Sequence, residues 1–241
     1  MSADEEKPIT QHLEDLRKCL IRSLLGMVAG AILTFNYISP VIEFLEQPLL
    51  QALPPDRMHL YFTGIADKFM TYFKVGLLMS FLVSMPFILY QVWIFVSPGL
   101  YRHEKKFALP FVIFSFVSFV AGTAFAYYVV LPTGFDFLIH FGGDRDQPMI
   151  TLTEYFGFTL KMLFALGLVF EMPVVMVVLG KFGIVNASML SNYRRHAFIA
   201  IAVISAIATP TPDAMSMCLV MFPMYLLYEI SIIGVRLVEN R

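Results

Sequence analysis

Long apolar runs recur along the chain, separated by short polar or turn-rich breaks. Six stand out, at about 19–41, 69–97, 107–131, 158–180, 197–209 and 214–235. Crossing the hydrocarbon core takes about 20 apolar residues as helix, whereas the strands of a membrane barrel are about 9–11 residues long and alternate apolar with polar. The longer runs fit the first pattern and show no such alternation. In lipid the backbone must pair with itself, and helices do this within one segment. Gln51–Asp56 with its paired prolines, Pro98–Gly99, Gly142–Pro148 and Pro210–Asp213 punctuate the runs, and no repeat of fixed period is visible. The pattern predicts an all-α polytopic membrane protein: one integral membrane domain over 1–241, with six transmembrane helices, two of them short at the C-terminal end.

Ahead of the first run, residues 1–18 are polar. Within Thr10–Leu20, Leu13, Leu16 and Leu20 share one helical face while Glu14, Asp15, Arg17 and Lys18 project elsewhere. This predicts an amphipathic surface helix leading into the first span. Asp4, Glu5 and Glu6 sit where a cleavable signal would be basic, and the apolar run that follows exceeds the 7–15 residues of a signal core. The expectation is a span that stays in the membrane.

Composition supports lipid as the solvent. Hydrophobic residues make up 58% of the chain and charged ones 15%, against about 45–50% and about 25% in soluble domains. A net charge of −1 offers no bulk basic field for nucleic acid. Cys19 and Cys218 are far apart with no C-x-x-C spacing, so neither a disulfide framework nor a metal site is expected, and no cofactor is. Orientation follows from the basic residues. Lys7, Arg17, Lys18, Arg22, Arg102, Lys105, Lys106, Lys181, Arg194, Arg195, Arg236 and Arg241 fall on one side of a six-span arrangement, and Arg57, Lys68, Lys74, Arg145 and Lys161 on the other. The richer side is expected to be cytoplasmic. That puts both termini in the cytoplasm, the protein in the cytoplasmic (inner) membrane, and longer loops at about 42–68 and 132–157 outside.

Thirteen residues at 197–209 reach only about 20 Å as helix, short of a core about 30 Å thick. Short spans thin the bilayer or recruit partners. Glu171 stands midway along the fourth run, where a carboxylate costs at least about 2.5–3.5 kcal/mol. It reads either as a protonated side chain bonded to a neighbouring helix or, the favoured reading, as a polar patch that attracts water, a proton or a partner's polar residue. Glu229, near the end of the sixth run, is expected to reach water or pair with Arg236. Lys74 and Lys161 stand just inside the outer span ends, where their stems can snorkel; Lys74 also stands among the candidates for partner contact and transport. His12, His103, His140 and His196 lie at ends or loops, and no Ser/His, Asp/Asp or His-x-x-x-His arrangement falls at matched depth. An enzyme is not expected. A proton-coupled secondary transporter of a small solute would explain Glu171, but such proteins usually carry internal repeats.

Two segments carry a resemblance. His12-Leu13-Glu14-Asp15-Leu16-Arg17-Lys18-Cys19-Leu20 resembles the pattern H-L-x-E-L-R-x-R-L of the TatC family, and the stretch Tyr90-Gln91-Val92-Trp93-Ile94-Phe95-Val96-Ser97-Pro98-Gly99-Leu100-Tyr101-Arg102-His103-Glu104-Lys105-Lys106 resembles that family's most distinctive stretch. Ala121-Gly122 with Phe125-Ala126-Tyr127, Phe170-Glu171-Met172-Pro173, and Thr209-Pro210 through Asp213 follow in family order. The resemblance implies a glove-shaped, concave six-helix receptor for the twin-arginine signal peptides of folded cargo. It implies small TatA- and TatB-type partner subunits, self-association in the bilayer, and transport driven by the proton-motive force. By carry-over, Glu104 and an acid of the N-terminal helix would face the signal arginines, with Leu16 and Phe95 supporting and His12 and Arg17 in the same motif. Pro48 would shape the first outward loop, and Tyr127, Glu171, Pro210 and Asp213 would serve partner contact or transport. Asp15 stands where the family has Glu, with Glu14 beside it, so either could meet an arginine; Cys19 stands where the family has Arg.

Overall fold

A computed structural model describes residues 9–53, 60–96, 108–140, 149–209 and 214–239. These are almost entirely helical: α1 (Ile9–Asn36), α2 (Ile38–Leu50), α3 (Asp67–Val96), α4 (Ala108–Phe125), a π turn (Ala126–Val130), α5 (Leu131–His140), α6 (Leu152–Phe170), α7 (Met172–Lys181), α8 (Ala187–Asn192), α9 (Arg194–Ala208) and α10 (Ala214–Glu239). Among the described residues extended pairing is confined to one isolated bridge, in which the Tyr61 N–H donates to Ile150 and the Leu152 N–H donates to Tyr61. That bridge ties the segment before α3 to the start of α6.

Among the described residues, five segments are long and apolar enough to cross a membrane: Leu13–Asn36, Asp67–Phe95, Leu109–His140, Leu152–Lys181 and Ser216–Glu239. α9, at 15 residues, reaches about 22 Å and falls below that length. The expected surface helix and first span form one continuous α1. Residues 42–50, read from sequence as part of an outward loop, lie in α2.

Prolines explain most interruptions, because the ring lacks an N–H and crowds the carbonyl four residues back. Pro40 would crowd Asn36, where α1 ends. Pro132 cannot donate to Tyr128, and there the chain opens into the π turn, with the Leu131 N–H donating to Ala126. Pro173 cannot donate to Val169, and the fourth long segment breaks at Glu171, whose N–H donates to Leu168 at 3.1 Å.

Small residues set the helix spacing. A Cβ on Gly30 would lie 2.3 Å from Ser84 Oγ and 2.9 Å from the Ser80 carbonyl, and one on Gly122 would lie 2.6 Å from the Leu166 carbonyl. These glycines bring α1 onto α3 and α4 onto α6, and the Ser84 hydroxyl reinforces the first contact by donating to Gly26 at 2.9 Å. Leu49, Leu131, Phe156, Leu166, Met224 and Ile232 are fully buried in the main core. A smaller core of Met85, Leu89, Trp93, Val112 and Phe119 joins α3 to α4. Much of the remaining apolar surface faces outward: Leu20, Leu24, Leu25, Ile32 and Leu33 are exposed along α1.

Candidate functional site

α1 carries the first motif. His12 lies in its opening turns, and Leu13, Leu16 and Leu20 are solvent-exposed. Glu14 makes an exposed ion pair with Lys18 at 2.9 Å, consistent with i,i+4 spacing. Asp15, next to it, is half-buried, and Arg17 is exposed. At the far end of α3, Phe95 is half-buried, and Trp93 is buried against Phe111 with ring centroids 4.6 Å apart. The second motif runs on from there through Glu104, which lies outside the described residues, as do Pro210 and Asp213.

Pro48 and Tyr127 are linked through Phe44, although 79 positions separate them. Pro48 is buried in α2 and leaves the Phe44 carbonyl without its helical donor. The Tyr127 hydroxyl donates to that carbonyl at 2.5 Å, and its ring stacks on Phe44 at 4.4 Å. Tyr155, from α6, donates to the neighbouring Leu45 carbonyl. Sequence reading did not single out Tyr155; a tyrosine in an apolar run that needs a hydroxyl partner was the available signal.

Glu171 sits in the break between α6 and α7, 9% exposed. Its Oε1 and the hydroxyl of Ser115, its polar neighbour on α4, are buried without hydrogen-bond partners among the described residues. The nearby Ser118 hydroxyl donates to the Phe170 carbonyl at 2.5 Å. Gln91 Oε1 and Thr159 Oγ1 are also buried and unpartnered among the described residues. Unsatisfied polar atoms at membrane depth are costly, so the Glu171 carboxylate and the adjacent Ser115 hydroxyl form a polar spot able to take a further hydrogen-bond partner. Lys74 is exposed on α3.

Glu229 pairs with Arg194, correcting the expected partner Arg236. The Arg194 Nε donates to Glu229 Oε1 at 2.8 Å and Nη2 to Oε2 at 2.9 Å, while the Tyr225 hydroxyl donates to Oε1 at 3.1 Å. Such a two-pronged pair fixes the start of α9 to α10. No group of three His, Cys, Asp or Glu side chains is placed to hold a metal among the described residues.

Fold and site together define a multi-pass helical membrane protein with buried polar groups at membrane depth. Comparison with known proteins gives its family. Residues 11–223 match the family of the Sec-independent protein translocase protein (TatC). A TatC from Desulforapulum autotrophicum is 40% identical over 237 residues, covering 98% of this chain and 87% of its own length. One from Carboxydothermus hydrogenoformans is 38% identical, covering 98% and 97%. A crystal structure of the twin-arginine translocase receptor TatC superposes with a TM-score of 0.79 at 34% identity, covering 95% of this chain and 99% of that one. The chain belongs to the TatC family.

Proposed function

We propose that this protein binds twin-arginine signal peptides and helps carry folded proteins across the cytoplasmic membrane, without catalytic chemistry of its own. The observation that carries the reading is its likeness, over nearly the whole chain, to a structure described as the twin-arginine translocase receptor. The family match weighs against a small-solute transporter. In this reading six helices cross the membrane, α9 being the short one, and both termini are cytoplasmic. A concave face carries Glu171 and Tyr127, and TatA- and TatB-type subunits assemble there to use the proton-motive force.

Glu104 and Asp15 or Glu14 supply the arginine site. A guanidinium is a planar fork of donors that matches a carboxylate, whereas lysine is a compact point charge. Two carboxylates at the membrane edge therefore select an Arg-Arg pair over Lys-Lys. Leu16 and Phe95 offer apolar surface to the rest of the peptide. Photocrosslinkers placed at positions 15 and 104 test this: both should capture an Arg-Arg signal peptide on irradiation, and excess unlabelled peptide present beforehand should suppress that capture. Capture of Lys-Lys and Arg-Arg versions with equal yield would refute the reading.

A further inference from the structure

The start of α9 forms a second site that the signal-peptide reading does not use. A cavity of about 370 Å³ opens there, lined by Arg194, Arg195, Phe198, Ile199 and Tyr225, within the usual size of small-ligand pockets, about 300–1,000 Å³. Its two guanidiniums differ. Arg194 is held by Glu229, which offsets its charge and fixes its direction. Arg195 is exposed and in no ion pair among the described residues. The cavity thus carries one uncompensated positive charge, with the Tyr225 hydroxyl nearby.

Its other wall is apolar and continues. Phe198 packs edge-on against Tyr225 at 5.7 Å. From Ile199 an exposed stripe runs on through Val203 and Ile207, at 62%, 53% and 79% exposure, with the i, i+4, i+8 spacing that keeps residues on one helix face. A cationic pocket at one end of a lipid-facing apolar track matches an amphiphile with an anionic head and a long tail. Free phosphate would use only the head of the site. A zwitterionic lipid would bring its own ammonium against Arg195.

We propose that this cavity binds an anionic phospholipid, the phosphodiester on Arg195 and Arg194 and one acyl chain along Ile199, Val203 and Ile207. Basic pockets between membrane helices are a recurrent setting for such head groups. The lipid would act as a wedge beside α9, filling the groove between the start of α9 and the middle of α10.

Native mass spectrometry of the full chain in detergent tests the proposal, with phosphatidylglycerol and phosphatidylcholine of identical acyl chains added separately. The wild-type protein should retain phosphatidylglycerol preferentially. Arg195→Gln should reduce that retention roughly fivefold, the effect of one partly exposed charge-assisted contact. Arg22→Gln, removing a basic residue on α1, should not. Inorganic phosphate at the lipid's concentration should fail to displace it. Equal retention of the two lipids, an equal loss in Arg22→Gln, or displacement by phosphate would overturn the proposal. A photoactivatable phosphatidylglycerol gives a variant-independent arm: in the wild-type chain it should label the peptide containing Phe198 and Ile199, and labelling confined to other helices would equally overturn it.

Discussion

Tyr127 supplies α2 with the hydrogen bond that Pro48 cannot make: its hydroxyl donates at 2.5 Å to the Phe44 carbonyl, four residues before the proline. The arrangement predicts a coupling. Tyr127→Phe strands a part-buried carbonyl and should cost about 1–3 kcal/mol. Pro48→Ala restores an amide donor to that same carbonyl, so Tyr127→Phe should cost less in the Pro48→Ala background. Thermal unfolding of the four proteins in one detergent measures the difference. Strictly additive shifts would show that the two residues act separately.

Glu46, on the same helix, gives a pH dependence. Burial, with Glu43 three residues away adding its charge, pushes the Glu46 carboxyl above the usual carboxylate range. The folded state thus holds this proton more tightly than the unfolded state does. The associated stability is fully present below the unfolded value, about 4.3, and is lost as pH rises through the folded one. Glu46→Gln should therefore raise the melting temperature at pH 7 relative to wild type, with the gap closing toward pH 4. Melting curves of the two proteins from pH 4 to 8 that ran parallel would contradict this.

For Glu171 the expected defect is in transport and not in folding. Its buried Oε1 lacks a partner among the described residues, so removing the carboxylate deletes no internal bond of that atom and relieves a desolvation cost. Glu171→Ala should insert normally and bind signal peptide within about twofold of wild type, while losing transport or recruitment of small partner subunits. Site-specific crosslinking to those subunits, alongside a transport assay, decides it; wild-type behaviour in both would leave Glu171 without a role in transport.

At the proposed arginine site, Glu104→Ala should weaken Arg-Arg peptide binding roughly tenfold, the lower end of what a charge-assisted hydrogen bond contributes. Glu104→Gln should do nearly as much harm, since charge matters more than shape there. Asp15→Ala should cost less, because Glu14 stands beside it in an exposed pair with Lys18. Raising salt should weaken binding modestly. Affinities in nanodiscs for Arg-Arg and Lys-Lys peptides give the comparison. An unchanged Arg-Arg preference in Glu104→Ala would return that loop to a topology-setting turn.

Apolar length made the long helices legible: the runs beginning near residues 69 and 214 lie in α3 and α10 because lipid leaves the backbone few other solutions. α2 was hidden because its sequence mixes two glutamates and two prolines with apolar residues, and the partners it packs on and bonds to, Tyr127 and Tyr155 among them, are distant in sequence. The Glu229 partner was missed for a related reason. Arg236 lies seven positions away and was visible by spacing, whereas Arg194 reaches Glu229 only once α9 folds back beside α10. Glu171 was conspicuous because a charge in an apolar run is costly wherever the helix packs. Gln91 and Thr159 carry no charge, so only their burial without partners marks them.

The π turn at Ala126–Val130 also works as a reading frame. An α-helix advances about 100° per residue, and the extra residue of a π turn shifts every following side chain by that amount relative to the helix before it. Upstream, Phe119 faces the α3 side; downstream, Leu131 and Phe135 face the main core. Deleting one residue between 128 and 130 would rephase all ten residues of α5, turning Phe135 away from Tyr155 in a single step. Variation in this segment should therefore favour substitution over change of length, since no one side chain downstream can restore the phase.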